Sequence, residues 1–181
     1  MGEGTRPEAG GDDTGRHPET GDGIVLDAAR IEDLDALVAF NRGIARESEG
    51  LELDEPTVRA GLAAMLRDPG RGAYLVARGP DGVPVGQVMI THEWSDWRNA
   101  WFWWIQSVYV RPDMRGRGIY ARLHREIAAR ARVRGDVCGL RLYVAHGNVR
   151  AQAAYEALGM SPAAYRMYEV SFNPPEASPG T

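Results

Sequence analysis

Residues 107–123 read SVYVRPDMRGRGIYARL, and how this stretch is parsed decides the fold. It closes a run, WFWWIQSVYV at 101–110, of aromatic and β-branched residues that reads as one long strand. Past the turn, Ile119, Leu123 and Ile127 recur at helical spacing and predict a helix to about Arg134. A further strand, within GLRLYVA at 139–145, follows directly. Strand, turn, helix and strand make a βαβ crossover. The turn itself, RGRG, sits where a helix N-terminus offers unspent backbone N–H groups and a partial positive charge. Gly116 and Gly118 let those groups converge without a Cβ in the way, and Arg115 and Arg117 add charge. A tight turn alone has the same letters, so the motif needs support from elsewhere. One nucleotide fingerprint drops out at once: the P-loop requires lysine, and all 21 basic residues of this chain are arginine.

Working outward, GIVLDAA at 23–29 predicts a short strand, and 33–44 a helix with Leu34, Leu37, Val38 and Phe40 at its periodic positions. The polar stretch ESEGLELDEP leads to Pro56, well placed at a helix start, with Val58, Leu62, Met65 and Leu66 as that helix's apolar face. GAYLVARG and VPVGQVMITHEW flank PDG and read as a hairpin; SDWRN turns the chain into the long strand. NVRAQAAYEALG predicts a helix with Asn148 as N-cap and Gly159 at its C-terminus. YRMYEVSF at 165–172 reads as a closing strand. The expected class is α+β, an α/β three-layer arrangement. It has a mixed, mostly antiparallel twisted sheet with helices on both faces and a central βαβ unit.

The length of 181 residues suits one domain, and 44% hydrophobic content supports a sizeable core. Residues 1–22 and 172–181 are rich in Gly, Pro and polar groups and are expected to be disordered tails around a single domain at 23–171. No apolar run is long enough to span a membrane, and the N-terminus lacks the basic and apolar regions of a signal peptide. The single cysteine, Cys138, leaves no intrachain disulfide and no zinc cluster. A cytoplasmic location is expected, with neither membrane nor metal. The net charge of −4 argues against nucleic-acid binding. Residues 111–150 nevertheless carry ten arginines, which read either as a solvated helix face or as a docking surface for an anion.

The wider stretch SVYVRPDMRGRGIYARL resembles the acetyl-CoA motif of the GNAT superfamily of N-acetyltransferases, Arg/Gln-x-x-Gly-x-Gly/Ala. Here it reads Arg115-Gly116-Arg117-Gly118-Ile119-Tyr120. NVRAQAAYEALGM resembles the family's second signature through Asn148, Ala151, Tyr155, Gly159 and Met160. The resemblance covers roughly 24–170, and the element order agrees with it. Two residues depart: Tyr120 stands for Gly or Ala, and Met160 for an aromatic. The ring of Tyr120 is expected to turn into the core behind its helix, the alternative being that it narrows the cofactor cleft.

The resemblance implies a GNAT-like sheet and an enzyme that moves the acetyl group of acetyl-CoA to a primary amine by direct attack in a ternary complex. It also implies that the amides of residues 115–120 hold the CoA pyrophosphate and that Val108, Tyr109 and Val110 lie along the pantetheine arm. Asn148, Ala151 and Tyr155 complete the expected cofactor set, and Arg111, Arg117 or Arg122 would meet the 3′-phosphate. Tyr155 is expected to protonate the departing thiolate; its competing role is a core aromatic. No carboxylate precedes the end of the long strand, where Gln106 and Ser107 stand. A water held by Gln106, or Glu93 on the preceding strand, is then the candidate base. Glu93 competes with an ordinary hairpin-edge charge. His92 faces opposite to it, His124 is expected on the exposed side of its helix, and His146 follows the fifth strand. The resemblance implies an acceptor pocket built by the first two helices and the loop between them, where Glu47, Glu49, Glu52 and Asp54 would draw a cationic acceptor unless that stretch is simply solvated. Trp97, in a hairpin with four other tryptophans, would line a substrate pocket or a homodimer contact. A small-molecule amine is the expected acceptor. A protein or peptide acceptor and a noncatalytic acyl-CoA-binding module are the alternatives, and an acetylating toxin directed at nucleic acid is disfavoured by the acidic balance.

Overall fold

A computed structural model describes residues 22–172. The chain divides after Tyr143 into two compact units. The tails expected at 1–22 and 172–181 lie outside the described residues, apart from Asp22 and Phe172.

The first unit holds one five-stranded sheet. Its strands are β1 (Val25–Ala28), β2 (Ala73–Arg78), β3 (Pro84–Ser95), β4 (Ala100–Val110) and β5 (Val137–Arg141), in spatial order of sequence. The first three pairings are antiparallel and β4 with β5 is parallel. Helices α1 (Leu34–Glu49) and α2 (Glu55–Arg67) connect β1 to β2, and α3 (Ile119–Arg134) makes the crossover from β4 to β5. Pro56 falls in the first turn of α2, where a missing N–H costs nothing, and Asp54 caps that helix by accepting from Thr57 N at 2.9 Å.

Alternation divides the strands between two cores. Leu75, Val88, Ile90 and Ile105 meet Ile119, Leu123 and Ile127 of α3 on one face. Tyr74 and Val76 meet Leu37, Val38 and Leu62 of α1 and α2 on the other. Within β4 the alternation slips once. Ser107 takes a left-handed backbone, φ 46°, where the β3–β4 register shifts. The slip puts Ile105 and Val108 both against the α3 core. Tyr109 is thereby turned to α1, its ring 5.2 Å from that of Phe40.

Two expectations need correction. His124 is buried, not exposed. It flanks the Ile119–Leu123–Ile127 stripe, one turn after Tyr120, and the two rings lie 6.1 Å apart. The apolar face of α3 is therefore wider than its aliphatic residues alone indicate. YRMYEVSF forms no strand: among the described residues of the second unit only α4 (Val149–Ala157) is regular, and Tyr165, Met167, Tyr168, Val170 and Phe172 are exposed. A strand-like sequence without a paired neighbour gains neither ladder bonds nor burial.

Candidate active site

The turn after β4 presents its backbone outward. Pro112–Met114 form a 3₁₀ turn, and Gly116 and Gly118 follow with φ of 77° and 70°. A methyl group on either glycine would meet nothing within 4 Å, so the space before the loop is open. Among the described residues the N–H groups of Gly116, Arg117, Gly118 and Ile119 donate no hydrogen bond. They converge at the N-terminus of the sixteen-residue helix α3, the arrangement that suits a phosphate. Tyr120 lies at that terminus with its hydroxyl oxygen buried and its ring toward His124.

The same loop is tied to the far end of α1. Arg115 donates from Nε to the Val110 carbonyl at 2.8 Å and from its terminal nitrogen to Glu47 Oε2 at 2.6 Å. Tyr109 donates its hydroxyl to Glu47 Oε1 at 2.9 Å, with the Arg115 guanidinium 5.3 Å from its ring centroid. Burial works against ionisation of Glu47, but its bonds to Arg115 and Tyr109 outweigh this and hold its pKa below the ordinary glutamate value. Of the three arginines expected near a 3′-phosphate, Arg111 pairs with Asp113, and Arg122 bonds Asp22 and the Ile24 carbonyl. Arg117 makes no side-chain hydrogen bond among the described residues.

Beside the loop, β4 has an open edge. Strand β5 pairs with it only from Trp101 to Trp104. Past that point, among the described residues, no strand covers the edge of Val108–Val110 that faces away from β3. On the adjoining sheet face Gln106 donates from Nε2 to Thr91 Oγ1 at 2.6 Å. Glu93 has both oxygens occupied, Oε2 by the Trp104 indole N–H and Oε1 by Arg141 at 2.7 Å. Protonating a carboxylate so engaged would give up the charge that strengthens its bonds to Arg141 and Trp104, which favours its reading as an anchor for Arg141. Arg141 in turn lies 3.5 Å over the Phe102 ring.

The acidic stretch after α1 is largely neutralised from within. Glu52 binds Arg46, Glu55 binds Arg42 and Arg59, and Asp54 is spent as a cap. Glu49 is exposed and makes neither contact. Trp97 sits at the tip of the β3–β4 hairpin, 88% exposed. A cleft of about 250 Å³ lies between α1, α2 and the sheet, with Asn41, Tyr74 and Ser107 as its polar members. Burial raises the Tyr74 pKa, while bonds from Asn41 and Ser107 oppose the rise. An acceptor pocket is expected at the first two helices and the loop between them, but the sequence does not single out the residues lining this cleft, because they are scattered over five elements and most read as core.

In the second unit, Asn148 caps α4 by accepting from Ala151 N at 3.1 Å, and Gly159 follows the helix with φ 85°. Tyr155 is half-buried on α4, and burial pushes its phenol pKa above the ordinary value of 10. Among the described residues no helix is long and apolar enough to cross a membrane, and no cluster of His, Cys, Asp and Glu is placed to hold a metal.

A mixed sheet with an open strand edge, running into a loop of convergent amides at a helix N-terminus, is the architecture that the acetyltransferase resemblance implies. The comparisons with known proteins narrow this. The model of the acetyltransferase (GNAT) family matches residues 37–160, and the chain belongs to that family, with acyltransferase activity. A solved structure described as a possible acetyltransferase from Clostridium difficile 630 is 41% identical, with a TM-score of 0.78 over 83% of this chain and 98% of that one. A GCN5-related N-acetyltransferase from Ralstonia eutropha shares the fold at 22% identity and a TM-score of 0.65, covering 82% and 99%. A ribosomal-protein-alanine N-acetyltransferase from Brucella melitensis does so at 21% and 0.65, over the same shares. No protein of curated function matches.

Proposed function

We propose that the chain transfers the acetyl group of acetyl-CoA to the primary amine of a small molecule. The observation that carries this reading is the continuity, within one unit, of the open β4 edge with the unspent N–H groups of Gly116–Ile119. The residues fit the cofactor: the loop amides suit its pyrophosphate, and the Val108–Val110 backbone suits its pantetheine amides. Arg117, the least engaged of the arginines, suits its 3′-phosphate. Acetyl-CoA would supply the activated thioester. A backbone N–H of β4 beside the thioester carbonyl favours charge on its oxygen.

The protein's own part is proton traffic. An amine is cationic in neutral water and must lose a proton before it attacks. The Gln106 amide, fixed by Thr91, holds a water that receives this proton and passes it to solvent. Tyr155 gives its phenolic proton to the departing thiolate. Its raised pKa keeps that proton in place throughout the neutral range.

Thiol release from acetyl-CoA across a panel of amines, amino acids and peptides tests the reading. Tyr155→Phe is expected to lower kcat by about 10²–10⁴ with little change in acetyl-CoA affinity. Unchanged turnover would remove Tyr155 as the acid. Tight CoA binding without turnover on any acceptor would favour the binding-module alternative.

A further inference from the structure

The cleft between α1, α2 and the sheet carries information on the acceptor. Its walls are aliphatic and thioether groups, chiefly Val58, Leu62, Met65 and Met89. No carboxylate, guanidinium or imidazole lines it. A cation taken into such walls would lose its hydration without finding a counter-charge, so they select an uncharged apolar group. The neighbouring carboxylates that would have welcomed a cation are held by Arg46, Arg42 and Arg115. At about 250 Å³ the cleft falls below the roughly 300–1,000 Å³ of pockets that enclose a whole drug-sized ligand, and suits one substituent.

A second, independent feature concerns Gly61. It stands in the middle of α2, where glycine is about 0.8–1.0 kcal/mol worse than alanine. Nothing local requires it. Its backbone is helical, and a methyl group there would meet nothing within 4 Å. Yet Gly61 lines the cleft, so what its missing side chain provides is room. The cleft also has a polar end. Asn41 commits its N–H₂ to the Leu37 carbonyl and to Tyr74, at 3.0 and 3.3 Å, which leaves its carbonyl oxygen as an acceptor. Ser107 lines this cleft and also begins the open stretch of β4. A substituent seated in the cleft thus points its attached amine toward the edge where the acyl carrier is placed.

We infer that the cleft receives an uncharged aliphatic or aromatic substituent of the acceptor amine, and that Gly61 determines how large this group can be. The inference rests on the acetyl-transfer reading for the identity of the reacting amine, but not for the cleft's selectivity. It is tested by measuring binding of phenethylamine and of cadaverine to the CoA-loaded protein by calorimetry, alongside acetylation of each. The wild type is expected to bind phenethylamine more tightly than cadaverine. Gly61→Phe fills the cleft and is expected to weaken phenethylamine at least about tenfold, with CoA affinity unchanged. Gly61→Leu, a smaller block, carries the same expectation should the phenylalanine variant not fold. Phenethylamine affinity untouched by both substitutions, a preference for cadaverine, or no binding of either amine would overturn the inference. Phenethylamine bound, blocked by Gly61→Phe and yet never acetylated would uphold the cleft's selectivity and defeat the transfer reading instead.

Discussion

The two faces of the sheet are built to different specifications. Against α3 the contacts are almost wholly aliphatic: Val88, Ile90 and Ile105 from the strands, Ile119, Leu123 and Ile127 from the helix. The opposite face is laced with polar groups. Arg78 there grips Asp33 through two bonds of 2.7 and 2.8 Å, and Gln87, fully buried, donates to the Ser107 carbonyl at 3.0 Å. Asn41 with Tyr74, Gln106 with Thr91, and Glu93 with Trp104 and Arg141 continue the series. A dry face needs only shape, and it holds α3 so that its N-terminal loop is presented in one place. A polar face asks its groups for partners, and the buried Gln87 Oε1 is an atom there that finds none among the described residues; it is also the face where the cleft and Gln106 lie. Framework and chemistry are thus divided between the two sides of one sheet.

The comparison can be broken from either side. Asp33→Ala should be the costliest substitution, about 3–5 kcal/mol by denaturant unfolding, because it removes both short bonds from the largely buried Arg78 and leaves Asp27, at 3.5 Å, as its counter-charge. The bond from Arg78 comes first among the influences that hold the Asp33 pKa below its ordinary 3.8, with burial opposing it. Its contribution is complete above that pH and is lost as the pH falls through the folded value. A loss near zero would mean that the polar face is not braced by this pair. Next comes Leu123→Ala on the dry face, expected to lower stability by about 2–5 kcal/mol while leaving kcat/KM of the folded enzyme unchanged. A fall in kcat/KM at full folding would show that this face does more than support. The smallest effect concerns the flaw in the dry face. His124 is buried, Nε2 makes no hydrogen bond among the described residues, and burial lowers its pKa below 6.5. Its folded pKa being depressed, the unfolded chain binds the extra proton. Stability should then fall as pH drops below about 6.5, by at most about 1.4 kcal/mol per pH unit. His124→Gln should flatten that slope, and equal slopes in both proteins would remove the histidine from the account.

Much of the framework was legible because it depends on local signals. The β4 run, the paired glycines and the Ile119–Leu123–Ile127 spacing are all written within thirty residues, and Asn148 and Pro56 announce their helices by position alone. What escaped depends on partners distant in sequence. Glu47 reads as one acid among several until Arg115 and Tyr109 meet it. His124 reads as exposed until Tyr120 is beside it. YRMYEVSF has the composition of a strand, but composition does not supply the neighbour a strand needs. The lining of the cleft was hidden for the same reason, although the resemblance points to the first two helices as its place. Gly61 was its one local trace, a glycine inside a helix with no turn to make.

The left-handed residue within β4, Ser107, has a consequence for how this strand can change over time. A strand assigns its side chains by counting in twos, much as a message is read in a frame, and Ser107 is the point at which the count is shifted. Deleting that one residue would restore plain alternation and leave Val108 and Val110 toward α3 and Tyr109 toward Glu47. Straightening the backbone there at unchanged length would instead turn Val108 and Val110 toward α1 and drive the Tyr109 ring into the aliphatic layer, separating it from Glu47. Substitutions along β4 alter one position at a time, but a gain or loss of one residue elsewhere in the strand rewrites everything downstream as far as the loop. Length in this strand is therefore expected to be held more strictly than letters.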